Sequence, residues 1–133
     1  MKECAFDAID ENLDAVLIFL YKELEEGDCP PQLYNDIALA AEELFINIAH
    51  YAYAPNIGTV IIRIAVSSEI IIEFEDTGIP FNPLENTDPD LTVSAVDRDM
   101  GGLGIYMVKK VMDSAEYRHE DGKNIMVIRK KIS

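Results

Sequence analysis

The hydrophobic period of this chain changes once, near residue 55, and that change limits the folds open to it. Before it, apolar residues recur every three or four positions. Leu13, Val16, Leu17, Leu20 and Leu24 form one stripe, and Leu33, Ile37, Ala41, Leu44 and Ile48 form another. That spacing puts each set on a single helix face. The first helix is predicted over 10–26, with Gly27 as its stop. Pro30 and Pro31 suit the first turn of a second helix, which ends before Pro55. After the change the period is two. Thr59–Val66 and Glu69–Glu75 are rich in β-branched residues and joined by Ser67-Ser68, which predicts a hairpin with one buried face. A short edge strand is predicted over 3–7, a third helix from Gly102 to about Met112, and two last strands near Ala115–His119 and Asn124–Lys131 around an Asp121-Gly122 turn. The order β-α-α-β-β-loop-α-β-β predicts an α+β fold, a two-layer α/β sandwich with helices on one face of a mixed or antiparallel sheet.

At 133 residues, 49% of them hydrophobic, the chain is the size of one domain with a real core, and it is taken as a single unit over 1–133. The longest apolar run, Ala15–Tyr21, falls far short of the roughly 20 residues of a membrane span. No signal-peptide pattern opens the sequence, and Cys4 and Cys29 have neither a disulfide-scaffold nor a zinc-site spacing. These features predict a cytoplasmic protein without a membrane partner. The net charge of −14 is uneven: residues 1–54 carry −10, residues 55–100 carry −7, and residues 101–133 carry +3. A nucleic-acid binder replaces phosphate counterions with a basic footprint, which this chain lacks. An acidic surface favours solubility and basic protein partners.

Three short segments carry candidate chemistry. On the second helix, Glu43, Asn47 and His50 stand at i, i+4 and i+7, one polar line beside the core stripe, extended toward the N-terminus by Asp36 and Ala40. Each alone is an ordinary solvated or structurally paired residue; three in line suggest a pocket wall. Asp76-Thr-Gly-Ile-Pro-Phe81 ends a buried strand, where an acid can accept from a ligand amine and Gly78 allows close backbone approach or positive φ. Aspartic proteases need two Asp-Thr-Gly segments, and this chain has one. Gly101-Gly-Leu-Gly104 opens the third helix, where exposed amides and the helix dipole can face an anion. Neither a GxxxxGK[ST] loop nor a dinucleotide fingerprint is present, so a nucleotide site would be of another kind. Between the last two segments, 82–100 hold Pro83, Pro89 and five acids and read as a long loop.

In order and spacing, Glu43-Leu-Phe-Ile-Asn47, Asp76-Thr-Gly-Ile-Pro-Phe81 and Gly101-Gly-Leu-Gly104-Ile105 resemble the N, G1 and G2 boxes of the GHKL ATPase superfamily. Within it the chain is similar to the small anti-sigma-factor serine kinases of the RsbW and SpoIIAB type, over nearly its whole length. The resemblance implies the histidine-kinase-like α/β sandwich, ATP and Mg²⁺ as cofactors, and phosphorylation of a partner on serine. It implies that Asn47 ligates Mg²⁺, Glu43 is the general base, and Asp76 bonds the adenine amino group. Gly78, Gly101, Gly102 and Gly104 would admit the nucleotide, with Ile79, Phe81 and Leu103 beside it. His50 would touch phosphate, and 82–100 would form an ATP lid bearing Arg98. The implied partners are a sigma factor and its antagonist, with the first helix and strand as a possible homodimer face. Ile46 stands where the sporulation-type kinases often carry threonine, and Arg98 lies slightly further from the glycines than the family's lid arginine. A non-catalytic nucleotide-dependent binding module and a histidine-kinase fragment are the alternatives. Glu43 argues against the first, and the lack of a dimerisation helix bearing a phospho-acceptor histidine argues against the second.

Overall fold

A computed structural model describes residues 1–85 and 100–132. The strands are β1 (Lys2–Asp7), β2 (Thr59–Val66), β3 (Glu69–Asp76), β4 (Ser114–Glu120) and β5 (Lys123–Lys131), and the helices α1 (Leu13–Glu26), α2 (Tyr34–Asn47) and α3 (Met100–Val111). The strands form one sheet in the order β1-β2-β3-β5-β4, with every neighbour antiparallel. The α+β sandwich is therefore observed, and the sheet resolves to antiparallel.

Alternation decides which face of the sheet is covered. Val60, Ile62 and Ile64 of β2 and Ile70, Ile72 and Phe74 of β3 point into the core. Val16, Leu20 and Leu24 of α1, Ile37, Ala41, Leu44 and Phe45 of α2, and Ile105 and Val108 of α3 meet them in one buried cluster. The opposite face carries charge. Arg63 there donates to Glu3 Oε1 at 2.7 Å and Glu75 Oε1 at 3.0 Å, tying three strands together. The β4–β5 turn has φ of 53° at Asp121 and 76° at Gly122. Two successive left-handed residues make the tight turn that matches strand twist, and glycine bears the larger angle without a Cβ penalty. That turn sets the register that opposes Asn124 to His119 on β4, and on its other side β5 places Asn124 opposite Asp76 of β3.

Element boundaries moved where local geometry changed. The first predicted helix divides into a 3₁₀ turn over Asp10–Asn12 and α1. Pro31 opens a separate 3₁₀ turn, Pro31–Leu33, ahead of α2. The second helix leaves α geometry after Asn47 and continues as a π-helical turn over Ile48–Ala52. Ala40, expected on the polar line, is fully buried. At one end of α3, Lys130 Nζ donates to Val111 O at 2.6 Å and pairs with Asp36 of α2 at 3.4 Å. At the other end, Gly104 lies against Glu43 of α2. These two contacts make α3 run antiparallel to α2. No helix among the described residues is long and apolar enough to cross a membrane.

Candidate nucleotide site

The site lies where β3, the turn after α2 and the β4–β5 hairpin converge. A pocket of about 350 Å³ is lined by Leu44, Asn47, Ile48, Tyr51, Ala52, Phe74, Asp76, Ile79, Phe81, Pro83, Tyr117, Asn124 and Met126. Most of this wall is apolar, and its mouth carries the exposed side chains of Tyr51, Ile79 and Phe81. Such a cleft suits a flat ring system oriented by a few polar groups.

Asp76 is the principal polar group. It ends β3 at 6% exposure. Its Oδ1 accepts from Gly78 N at 2.9 Å and from Asn124 Nδ2 at 2.9 Å. No partner among the described residues reaches Oδ2. Burial pushes the carboxyl above its ordinary range, the Asn124 and Gly78 hydrogen bonds oppose that rise, and nearby Glu75 adds to it. A buried acceptor with no protein partner on a pocket wall is costly unless a ligand or water satisfies it.

The loop after Asp76 is held from behind. Ile79 N donates to Ala52 O at 3.0 Å, joining it to the π-helical turn. A Cβ on Gly78 would fall 2.7 Å from the carbonyl carbon of Ala52, so glycine serves close approach here. Gly78 does not have positive φ. Tyr53 OH donates to Thr59 O at 2.7 Å and accepts from Thr77 N at 2.8 Å, fixing the strand end that carries Asp76.

The predicted polar line on α2 is only partly preserved. Asn47 lines the pocket beside Asp76, Ile79 and Phe81. Glu43, one turn earlier, is half-buried outside this lining, with its carboxylate over Gly104. A side chain at 104 would overlap that carboxylate. Burial, and then the neighbouring Glu42 charge, pushes Glu43 above the usual carboxylate range. His50 departs from the line. Its Nε2 lies 2.8 and 2.9 Å from the two carboxylate oxygens of Asp10. The wider π turn spoils the i+7 alignment that an α-helix would have given it. A phosphate contact would require His50 to exchange partners. Gly101, Gly102 and Leu103 belong to the first turn of α3. Arg98 and most of the expected lid, 86–99, lie outside the described residues.

Sequence reasoning missed Asn124 and Tyr117, which brace Asp76, and the pocket residues Ile48 and Tyr51. Asn124 did leave a signal: it is a polar residue on the face of its strand that Met126 and Ile128 continue.

The family profile described as "Histidine kinase-like ATPase domain" matches residues 6–130. The chain belongs to this family. The match spans the three segments Glu43–Asn47, Asp76–Phe81 and Gly101–Gly104. It is 27% identical to the anti-sigma F factor of Clostridium acetobutylicum over 130 residues, 97% of this chain and 91% of that protein. It is 26% identical to the serine/threonine-protein kinase BtrW of Bordetella bronchiseptica over 95 residues, 69% of this chain and 66% of that protein. The solved RsbU and RsbW domains of a Mycobacterium tuberculosis protein superpose on 99% of this chain with a TM-score of 0.68 and 16% identity, the match covering 33% of that longer chain. That likeness shows the fold, and the relatives support the anti-sigma kinase branch of the family. The histidine kinase-like ATPase fold implies ATP use. The pocket fits an adenine ring: its largely apolar wall includes the buried Asp76, whose Oδ2 has no donor among the described residues.

Proposed function

We propose that this protein is an ATP-dependent serine kinase that also binds its regulatory targets. It would sequester a sigma factor and phosphorylate a small antagonist protein on serine. The observation that carries the reading is Asp76, buried in an apolar pocket whose wall also holds Asn47, with no partner for its Oδ2 among the described residues. Names borne by relatives, an anti-sigma F factor and a serine/threonine-protein kinase, support the choice of branch.

In this reading Asp76 accepts from the adenine amino group, and Gly78 lets the backbone approach the ring. Ile79 and Phe81 close over the base. Asn47 holds Mg²⁺ through its amide oxygen, with Gly101, Gly102, Leu103 and Gly104 forming the phosphate end of the site. When bound, MgATP would supply the transferable phosphoryl group, with Mg²⁺ as the positive charge beside the phosphates that a chain of net −14 lacks. Glu43 accepts the proton of the attacking serine hydroxyl. Its raised carboxyl suits that role, since a general base works best with a pKa near the working pH. His50 and Arg98 complete the proposed set as phosphate contacts, His50 after leaving Asp10.

One observation favours a second reading, a nucleotide-dependent binding module without transfer: Glu43 rests on Gly104, outside the pocket lining. Incubating the purified protein with γ-labelled ATP, Mg²⁺ and host lysate separates the two. Phosphoserine on a small protein supports the kinase, and nucleotide binding without transfer supports the module.

A further inference from the structure

Asn124 occupies the first inward position of β5 and is 6% exposed. Both polar atoms of its side-chain amide are used. On one side, Oδ1 accepts from Tyr117 OH and from Phe81 N at 3.4 Å. On the other, Nδ2 donates to Asp76 Oδ1 at 2.9 Å, to Ile79 O at 3.0 Å and to Gly78 O at 3.3 Å. The two ends of an amide are distinguished by the partners they meet. The reversed amide would set its oxygen against three acceptors, the Asp76 carboxylate and the carbonyls of Gly78 and Ile79. It would also turn its NH₂ toward the Phe81 N–H. Only one orientation satisfies this ring of partners.

That orientation has a consequence for Asp76. With Asn124 Nδ2 and Gly78 N both on Oδ1, that oxygen is occupied, and Oδ2 is left as the acceptor toward the pocket. We propose that Asn124, locked in one orientation by the Tyr117 hydroxyl, is the positioning residue that sets base specificity, because it turns a donor toward Asp76, keeps one carboxylate oxygen occupied and leaves the other to the ligand as an acceptor. The inference rests on the nucleotide reading above. It makes the pocket selective for a purine with an exocyclic amine over one with an exocyclic oxygen. Neither Asn124 nor Tyr117 belongs to the three boxes, so this specificity is built by the β4–β5 hairpin.

Among the described residues, the groups around this centre are these. Glu75 precedes Asp76 but points to the other sheet face, where Arg63 pairs with it at 3.0 Å. On β4, Tyr117 faces Asn124, and His119 is its exposed register neighbour. β2 opposes Asp76 with Val60, which is uncharged. From α2, Asn47 is neutral and Glu43 stands a turn away.

Replacing Asn124 with aspartate makes the inference measurable through pH. Two carboxylates at hydrogen-bonding distance share one proton, because like charges so close do not both ionise readily. With that proton, residue 124 still donates to Asp76; without it, the donor is lost and two charges oppose. The expected result for Asn124→Asp, from calorimetry with MgATP between about pH 5.5 and 8.5, is affinity approaching wild type at the acidic end. It should fall at least about 10-fold below wild type at the alkaline end, a change equal to about 1.4 kcal/mol. A wild-type-to-variant ratio that stays constant across the range would reflect only a structural role and overturn the inference. Tyr117→Phe keeps the ring in the wall and removes the hydroxyl that fixes the amide. It should lower the ratio of ATP to inosine triphosphate affinity by about 3-fold or more, the worth of one neutral hydrogen bond. Equal effects on the two nucleotides, or no effect, overturn it. Wild-type protein that binds no MgATP defeats the nucleotide reading and the inference together, whereas wild-type binding with flat variant responses defeats the inference alone.

Discussion

Changing Asp76 to asparagine should do more than weaken nucleotide binding; it should reverse the preference for the base. The structure dictates how the new amide sits. Gly78 N and Asn124 Nδ2 both donate at 2.9 Å to the present Oδ1, so the amide oxygen of the variant must take that side. Its NH₂ then occupies the place of Oδ2 and faces the pocket. Adenine presents an amine there, so donor meets donor. The charge-assisted bond that is lost is worth about 1.5–3 kcal/mol, which converts to about 10- to 150-fold in affinity at 1.4 kcal/mol per decade. Inosine triphosphate carries an oxygen at the same ring position and becomes the better-matched ligand. Calorimetric titration of both nucleotides, with Mg²⁺, against wild type and Asp76→Asn checks this. The expected outcome is a large loss for ATP with a gain, or much smaller loss, for inosine triphosphate. Unchanged ATP affinity, or an equal loss for both nucleotides, would refute the reasoning.

Other outcomes follow from the neighbouring residues. Asn47→Ala should weaken MgATP binding while leaving metal-free nucleotide nearly unaffected, and chelation by EDTA should weaken ATP binding by wild type; ATP affinity indifferent to EDTA would remove the metal role. Glu43→Gln should raise thermal stability near neutral pH. The fold raises the carboxyl's pKa, so ionisation costs folded stability as pH rises above the unfolded value of about 4.3. The gain should vanish in melting curves taken below about pH 4, where both states are protonated. Gly104→Ala should leave melting temperature nearly unchanged, since helix propensity improves by about 0.5–1 kcal/mol while only the flexible end of Glu43 must move. Phosphotransfer by that variant should nevertheless fall, because the carboxylate is driven from its seat.

The sheet was legible because its signals are local. β2 begins and ends where β-branched alternation placed it, and Asp121-Gly122 forms the tight turn that the dipeptide announces. The three boxes point to one end of the molecule for a similar reason: each sits at the end of an element whose period is clear. What escaped depended on geometry that periodicity does not encode. A helical wheel continues through His50, but the chain widens to π geometry after Asn47, and Asp10, forty residues earlier, takes the imidazole. Ala40 looked like part of a polar line only because it lies between Asp36 and Glu43 at helical spacing; packing buried it. Asn124 was hidden because its meaning lies in its register opposite Asp76, a pairing between strands 48 residues apart. The spacing placed Glu43 on a polar line, but its seat on Gly104 comes from the antiparallel packing of α3 on α2, which no single segment specifies.

The central claim is transfer, with Glu43 as the base, and single-turnover phosphotransfer by Glu43→Gln tests it most directly when measured beside equilibrium MgATP binding. Glutamine keeps the size of the side chain and removes the proton acceptor. MgATP affinity should stay within a few-fold of wild type while the transfer rate falls by about 10²–10⁴, the usual worth of a positioned general base. Transfer by the variant at the wild-type rate would contradict the account, leaving Glu43 as a helix-packing residue on Gly104 and the pocket as a nucleotide-dependent binding module.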